Sequence, residues 1–486
     1  MDSNGVIQVA NSQIALWAFI GYLVIITMIG VLTSRFSSAG VSEYFLAGRK
    51  MNKWVVALSA VVSGRSAWLL IGFTGMAYAQ GLSAMWAAVG YITVEFFLFW
   101  FYARRLRSFS EEHDCLTVPD FFAARFNDKK GTLRLLLSLI IIVFLTAYVS
   151  AQFVGGGKTF ASSFGVTPTM GMLITAAIVL LYTLLGGFLA VSLTDFLQAM
   201  FMIFALLVLP IVAIAHEGGW GPVAAQLRMD DPSLLTTFGS LGFGGVIGFL
   251  AIGLGSPGNP HIIVRYMSIK RVDDLKFSAL IGTFWNVMMA LGALLIGLVG
   301  RAYTPVAATV DQEFLFPALA AEHLHPVLFG MVIASIFAAI MSTADSQLLV
   351  AASSVVVDIY QKVMKRDAVI PQRRLVLISR FTVFVLVVLA IAFGLAAEKL
   401  VFWLVLFAWA GLGAAIGPTS ILALFWKRTT RQGVIAGVIA GTVTTIIWYY
   451  TPALKGALYE LVPAFLIGAL VTWAVSLATS QPDPRN

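Results

Sequence analysis

Charge is scarce in this sequence. Asp, Glu, Lys and Arg make up 11% of 486 residues, less than half the roughly 25% of ordinary soluble domains. Cysteine is nearly missing: the single thiol, Cys115, excludes an intramolecular disulfide and a Cys/His metal cluster. The five histidines show no metal-ligand pairing, and His323 and His325, although close, sit in a Pro-flanked loop where no metal is expected. No GxSxG, HExxH, Walker or DFG-type segment occurs. The run VGGGK at 154–158 lacks the spacing and the Ser/Thr of a phosphate loop and reads as a helix end. An enzyme is therefore not expected. The N-terminus, MDSNGVIQVANSQ, has neither a basic n-region nor a small-residue cleavage site, so the first apolar run (14–32) reads as a permanent helix rather than a signal peptide.

What is present is apolar. Hydrophobic residues reach 59% and the mean hydropathy is +0.92. A soluble fold cannot cover that much apolar surface, so the composition defines an all-α polytopic membrane protein. It excludes disorder, a coiled coil and a nucleic-acid-binding domain. A spanning helix needs about 20 mostly apolar residues. Thirteen runs qualify: 13–34, 54–80, 83–104, 133–160, 169–189, 191–215, 239–257, 275–300, 326–350, 374–396, 400–425, 432–450 and 457–479. Gly186 and Gly187 join two of them so tightly that the flanking helices must be neighbours. With the N-terminus outside, 25 of the 31 Lys and Arg fall in inside segments, five (Lys158, Arg228, Arg301, Lys399, Lys455) fall outside, and Arg65 lies within a span. This asymmetry sets the N-terminus outside and the C-terminus inside, and it accounts for the net charge of +8.

Two spans are interrupted. The second carries Ser63-Gly64-Arg65-Ser66 at mid-depth, and the seventh carries Gly255, Pro257, Gly258 and Pro260 near its end. Breaks free backbone carbonyls, which in a bilayer need an ion, a substrate or water. Breaks at matching places in two halves point to a transporter site between inverted repeats. The halves are 54–215 and 239–425, with one helix before them (13–34) and two after (432–479), all in a single transporter domain.

Charges inside spans are few: Arg65, Glu95, Asp195 and Asp345. Such groups are costly and functional by default. Ala339, Ser342, Thr343 and Ser346 recur at i, i+3, i+4, i+7 and share one helix face. Adjacent hydroxyls aimed at a helix break make oxygen ligands for a hard monovalent cation. Glu95 is a candidate buried partner for Arg65, because an unpaired buried charge is expensive. Trp68 and Tyr148 stand out among the aromatics because each adjoins a polar segment.

The segments YFLAGR (44–49), SGRSAWLL (63–70), LTVPDFFAARF (116–126), GGFLAVSLTD (186–195), GNPHIIVRYM (258–267), AAIMSTADSQLLVAASS (338–354), AWAGLGAAIGP (408–418) and YELVPAF (459–465) span nearly the whole chain. By these segments it resembles the sodium/solute symporters, and most of all their sodium/proline carriers. The resemblance implies a LeuT-like five-plus-five inverted repeat and coupled uptake by alternating access at the inner membrane. It implies a sodium held by the carbonyls of Val62, Arg65 and Ala339 and the hydroxyls of Ser342 and Thr343, with Asp195 tied to sodium use or its release route. Ser66, Trp68 and Tyr148 match substrate-binding positions.

Two departures bear on the substrate. Gly64-Arg65 stands where the proline carriers have Asp-Met, and Ile252 and Ser256, followed by Pro257, stand where they have Trp and Tyr. A guanidinium in a wider pocket suits a carboxylate, which Arg binds in bidentate fashion. The expectation is sodium-coupled symport of a small carboxylate-bearing solute, an amino acid such as proline or a relative, with Arg65, Ser66, Trp68, Tyr148, Ile252 and Ser256 at the substrate. Sodium, the solute and the bilayer are the expected partners, with neither nucleic acid nor an obligate protein partner. The alternative is a proton-coupled or sodium-independent carrier in which Arg65 replaces the sodium ion. At about 4 Å, two like charges repel by about 4 kcal/mol at an effective dielectric of 20, so a guanidinium pointing at sodium would weaken its binding roughly a thousandfold.

Overall fold

The structure, a computed structural model, describes residues 12–37, 40–239, 241–303, 311–366, 368, 370–396 and 400–479. Lys399 and Arg485 of the charge count, and both chain ends, lie outside these residues. Among the described residues ten helices are long and apolar enough to cross a membrane, and a pair bent by 51° raises this to eleven. The only β-type pairing described is a single bridge between Met51 and Ile269.

Leaving aside the short helices Val41–Leu46, Trp220–Asp230 and Pro452–Ala457, the α-helices in chain order are α1 (Ser12–Ser37), α2 (Lys53–Ala67), α3 (Thr74–Gln80), α4 (Met85–Phe97), α5 (Ala103–Glu112), α6 (Val118–Arg125), α7 (Thr132–Phe164) and α8 (Pro168–His216). They continue as α9 (Phe243–Leu250), α10 (Pro260–Ser268), α11 (Leu275–Tyr303), α12 (Leu315–His323), α13 (Pro326–Ser353), α14 (Gln372–Leu395), α15 (Val401–Phe425), α16 (Arg431–Tyr450) and α17 (Leu461–Thr479). Local signals set several ends. Asn52 accepts the Val55 N–H at the start of α2, and Thr167 accepts the Met170 N–H with Pro168 in the first turn of α8; both are N-cap devices. Gly165, in the left-handed region, ends α7.

The apolar stretch of Pro326–Met364 is 83% buried and that of Lys53–Glu112 entirely so, whereas α1 and α17 bury only 28%. The core thus sits around α2 and α13, and the first and last helices form the rim. Trp17, Leu32, Phe381 and Leu470 are exposed, as expected of side chains that meet lipid.

Three breaks shape the interior. In α2, Ser66 adopts φ 47° and ψ −174°, a conformation that costs a non-glycine residue about 1–3 kcal/mol. In α8, Gly187 adopts φ 60° and ψ −171°. The Tyr182 hydroxyl meets that of Thr194, twelve positions on; a straight helix would hold them about 18 Å apart, so the chain reverses at Gly187. The third break runs from the 3-10 turn Ala251–Gly258 into α10, which begins at Pro260. A Cβ on Gly255 would lie 1.9 Å from Trp409 Nε1, so only glycine lets this turn lie against α15.

One sequence expectation is corrected. VGGGK lies inside α7, not at a helix end. A Cβ at Gly156 would lie 2.3 Å from Thr175 Oγ1. Its smallness serves close helix packing, as small residues do between membrane helices.

Candidate functional site

Arg65 leaves α2 toward α4 and pairs with Glu95; the two side chains are 1% and 5% exposed. The guanidinium lies 3.8 Å from the centre of the Tyr91 ring. Glu95 also accepts from Asn286 Nδ2 of α11 (2.9 Å) and from Ser256 Oγ at the third break (3.3 Å). A buried charge with an opposite partner and neutral donors is the tolerated arrangement. Glu95 thus cancels the charge that set Arg65 against a nearby cation.

The other face of α2 meets α13. Ser342 Oγ lies 3.2 Å from the Ala339 carbonyl and 3.5 Å from the Val62 carbonyl, and Thr343 donates to the Ser63 carbonyl at 3.0 Å. Trp68 N–H donates to the Arg65 carbonyl. The face read from the i, i+3, i+4, i+7 pattern is the face that confronts the break.

Beside it lies a second polar cluster. Asp195 of α8 accepts from Ser59 Oγ (2.5 Å), Ser63 Oγ (3.4 Å) and Arg265 Nη2 (3.1 Å). Arg265 also bonds the Ser346 hydroxyl, which donates to Asp345 at 3.2 Å. One oxygen of each carboxylate, Asp195 Oδ1 and Asp345 Oδ2, is buried with no hydrogen-bond partner among the described residues. Arg265 corrects the sequence reading, which counted it among the inside-loop cations: it is 1% exposed and belongs to this cluster.

Ser66, Trp68 and Tyr148 are brought together. Ser66 Oγ accepts the Trp68 N–H at 3.0 Å and lies 3.4 Å from Tyr148 OH, and the Ala67 N–H donates to Gln152 at 2.9 Å. These bonds hold Ser66 in its unfavourable conformation. Trp68 stacks on Phe402 (5.6 Å between centres), and Tyr148 meets Trp409 and His261 edge-on. The Ile252 carbonyl accepts from Trp409 Nε1 at 2.7 Å. Aromatic walls therefore come from α15, where the sequence reading saw Trp and Tyr missing from the third break. Trp68 Nε1, Gln152 Nε2, Asn259 Oδ1 and both ring nitrogens of His261 are buried with no hydrogen-bond partner among the described residues. Buried polar atoms are ordinarily satisfied, so these are the atoms that a polar solute would meet. His261, Asn259 and Trp409 were not singled out from sequence, although Asn259 and His261 lie in GNPHIIVRYM and Trp409 in AWAGLGAAIGP, two of the segments that carry the resemblance.

Beside Ile252, a cavity of about 530 Å³ is lined by Met76, Gln80, Phe249, Trp403 and Leu406 among others. Ion pairs close both ends of α7. At one end Lys158 pairs with Asp311 and, at 2.6 Å, with Glu313; Glu313 also accepts the Val401 and Phe402 N–H groups, each at 2.9 Å. Burial pushes the Glu313 carboxyl above its ordinary range, against the pull of Lys158 and of those two donors. At the other end Asp120 meets Arg134 and, at 2.6 Å, Lys362, while Arg134 reaches Asp358 at 2.8 Å. Burial opposes ionisation of Asp120, but Lys362 and Arg134 outweigh it and hold the carboxyl below its ordinary range.

Helices broken in mid-span, with orphaned polar atoms around the break, are features of membrane carriers. The sequence profile of the sodium:solute symporter family matches residues 44–441. The osmoregulated proline transporter OpuE of Bacillus subtilis is 39% identical over 95% of this chain and 94% of its own length. A sodium/proline symporter of Staphylococcus aureus is 39% identical over 95% of this chain and 92% of its own. The solved structure of a Na+-coupled sialic acid symporter, substrate-bound and outward-open, shares the fold with a TM-score of 0.80 at 17% identity, over 97% of this chain and 99% of that one. The chain belongs to the sodium:solute symporter family. Its relatives are transporters rather than enzymes, and it is a multi-pass protein of the cell membrane.

Proposed function

We propose that the protein imports proline, or a closely related small amino acid, by symport with sodium. The observation that carries this reading is the meeting of the α2 break with α13, where the Ser342 and Thr343 hydroxyls lie 3.5 Å and 3.0 Å from the Val62 and Ser63 carbonyls. Hard cations take oxygen ligands. Sodium is held by the carbonyls of Val62, Arg65 and Ala339 and by the hydroxyls of Ser342 and Thr343, so that it ties the broken helix to α13. Asp195 serves the route by which sodium leaves.

The amino acid occupies the break against Ser66, Trp68 and Tyr148, with Ile252 and Ser256 opposite. A guanidinium carries five N–H donors; Arg65 gives one to the Val61 carbonyl and one to Glu95, and a substrate carboxylate takes others. The chain forms one LeuT-like domain of thirteen spans, with the N-terminus outside and the C-terminus inside. In that count Lys53–Glu112 is two spans divided at Gly81 (φ 63°), and α8 is two divided at Gly187. Two observations disfavour the alternative in which Arg65 replaces sodium: Glu95 cancels its charge, and a relative at 39% identity is named a sodium/proline symporter.

The test is uptake of radiolabelled proline by proteoliposomes under an inward sodium gradient, with potassium and pH gradients as controls. Sodium-driven accumulation is expected, and Ser342→Ala should raise the half-saturating sodium concentration at least tenfold. Equal uptake in potassium would reject sodium coupling. Sodium-driven uptake of another amino acid but not of proline would reject the substrate and keep the coupling.

A further inference from the structure

We infer that the protein carries a transition-metal site, apart from the transport pathway, made by His216 and Glu217 at the end of α8 and His323 at the end of α12. One ligand atom from each of the three lies within 4.8 Å of the other two. The two imidazole rings are 5.2 Å apart between centres, at an angle of 67°, and His216 Nδ1 is 3.8 Å from the Glu217 carboxylate. A tetrahedral zinc ion, with bonds of about 2.0–2.2 Å, holds its ligand atoms about 3.3–3.5 Å apart. The cluster is thus wider than a loaded site by about 1.5 Å at most. The His216 side chain is 73% exposed and is free to swing inward by that amount.

A separate observation points at His323. Both of its ring nitrogens are shut off from solvent and have no hydrogen-bond partner among the described residues. A neutral imidazole is both a donor and an acceptor, and leaving both unmet is costly. Coordination would satisfy one of them.

The backbone on each side is fixed. At the end of α8, Gly218 and Gly219 turn through positive φ, and the Gly219 N–H closes onto the Ile214 carbonyl at 2.8 Å. At the end of α12, the Leu324 N–H bonds the Ala320 carbonyl at 3.0 Å, and α13 starts at Pro326. Ligands on two rigid helix ends are what a preorganised site requires.

The donor set selects the ion. Two imidazoles and one carboxylate suit zinc, copper(II) or nickel and disfavour sodium, calcium and magnesium, which seek oxygen. Three protein ligands leave a fourth position for water. The bound ion would pin α12 to α8. The connection that holds α12 also holds Asp311 and Glu313, which clamp Lys158 and the start of α15, so the metal would restrain the segment that closes this end of the protein.

The test uses the full-length protein, purified in detergent and stripped with EDTA. Zinc is titrated against a fluorescent zinc indicator, with calcium and magnesium as controls. One saturable zinc site per chain in the micromolar range is expected, unaffected by millimolar calcium or magnesium. His216→Ala and His323→Ala should each weaken it at least tenfold, and His325→Ala and His113→Ala should leave it unchanged. His216 is exposed, so its variant remains informative if His323→Ala does not fold. The electron paramagnetic resonance spectrum of bound copper(II) should show two imidazole nitrogens, and one after either substitution. No saturable zinc site, or the same affinity in His216→Ala, would overturn the assignment. So would a copper spectrum without imidazole nitrogens. None of these readouts depends on which solute is carried.

Discussion

Arg65 and Glu95 form an ion pair closed to solvent on both sides, 1% and 5% exposed, between a broken helix and its neighbour. Removing one partner of such a pair leaves a bare charge and costs about 3–5 kcal/mol, whereas replacing both with neutral groups of similar shape is close to neutral. Arg65→Met and Glu95→Gln are each expected to lower the melting temperature of the purified protein by several degrees. The double variant should recover much of the loss. If the two effects simply add, the charges are not coupled and the geometry is wrong.

Ser66 is a serine where backbone geometry asks for glycine. Ser66→Gly removes strain of about 1 kcal/mol or more but also removes the hydroxyl that accepts the Trp68 N–H at 3.0 Å, worth about 1 kcal/mol. The two nearly cancel. Ser66→Ala keeps the strain, loses the hydroxyl, and should cost about 1–2 kcal/mol. The expected order of thermal stability is therefore wild type close to Ser66→Gly, with Ser66→Ala lowest. Finding Ser66→Ala above Ser66→Gly would mean that the break at Ser66 is not strained.

That break also shows what a sequence discloses and what it withholds. Ser63-Gly64-Arg65-Ser66 announced an interruption because polar residues stood where lipid or core requires apolar ones. The face of Ala339, Ser342, Thr343 and Ser346 was legible because 3.6-residue periodicity is a local property. Arg265 was misread for the converse reason. It sits among basic residues just past an apolar run, and only the folded chain turns it back to Asp195, 70 positions away. Trp409 and His261 were invisible as site residues because an aromatic or a histidine in a span is core by default. The His216–His323 pairing was out of reach because its members lie on different helices, while His325, nearer in sequence, points elsewhere and accepts from Val327 N–H.

Cys115 offers a test outside the spans. Burial, with a contribution from Asp120, pushes its thiol up to about 12, and the residue is 2% exposed. The thiolate is the nucleophile, and at pH 8 about one such thiol in ten thousand is ionised, against roughly a quarter for a free cysteine of pKa near 8.5. Maleimide labelling of the folded protein should therefore be at least a hundredfold slower than in denaturant. Raising the pH should speed it about tenfold per unit. Rapid stoichiometric labelling at pH 7 would show that the segment around Cys115 opens far more readily than its packing implies.

Glu313 closes the end of α7 nearest Lys158 by two means at once. Its carboxylate caps α15 through the Val401 and Phe402 N–H groups, each at 2.9 Å, and pairs with Lys158 at 2.6 Å. Negative charge at a helix N-terminus is stabilised by the helix dipole as well as by the bonds themselves. Val401 and Phe402 donate to different oxygens of Glu313, so Glu313→Gln leaves one of the two N–H groups facing an amide nitrogen that cannot accept, and it leaves Lys158 to Asp311 alone. Amide exchange at the start of α15 and across α12 should accelerate at least tenfold, while α16 and α17, which make no contact with this clamp, keep their wild-type rates. Lys158→Met should act in the same direction. Burial holds the Glu313 carboxyl above its ordinary range, so protonating it favours the folded clamp, and the gap between wild type and Glu313→Gln should widen as the pH falls. Exchange that rises equally in every helix would indicate a general loss of stability, and unchanged exchange at Val401 and Phe402 would mean that the carboxylate does not hold the helix start.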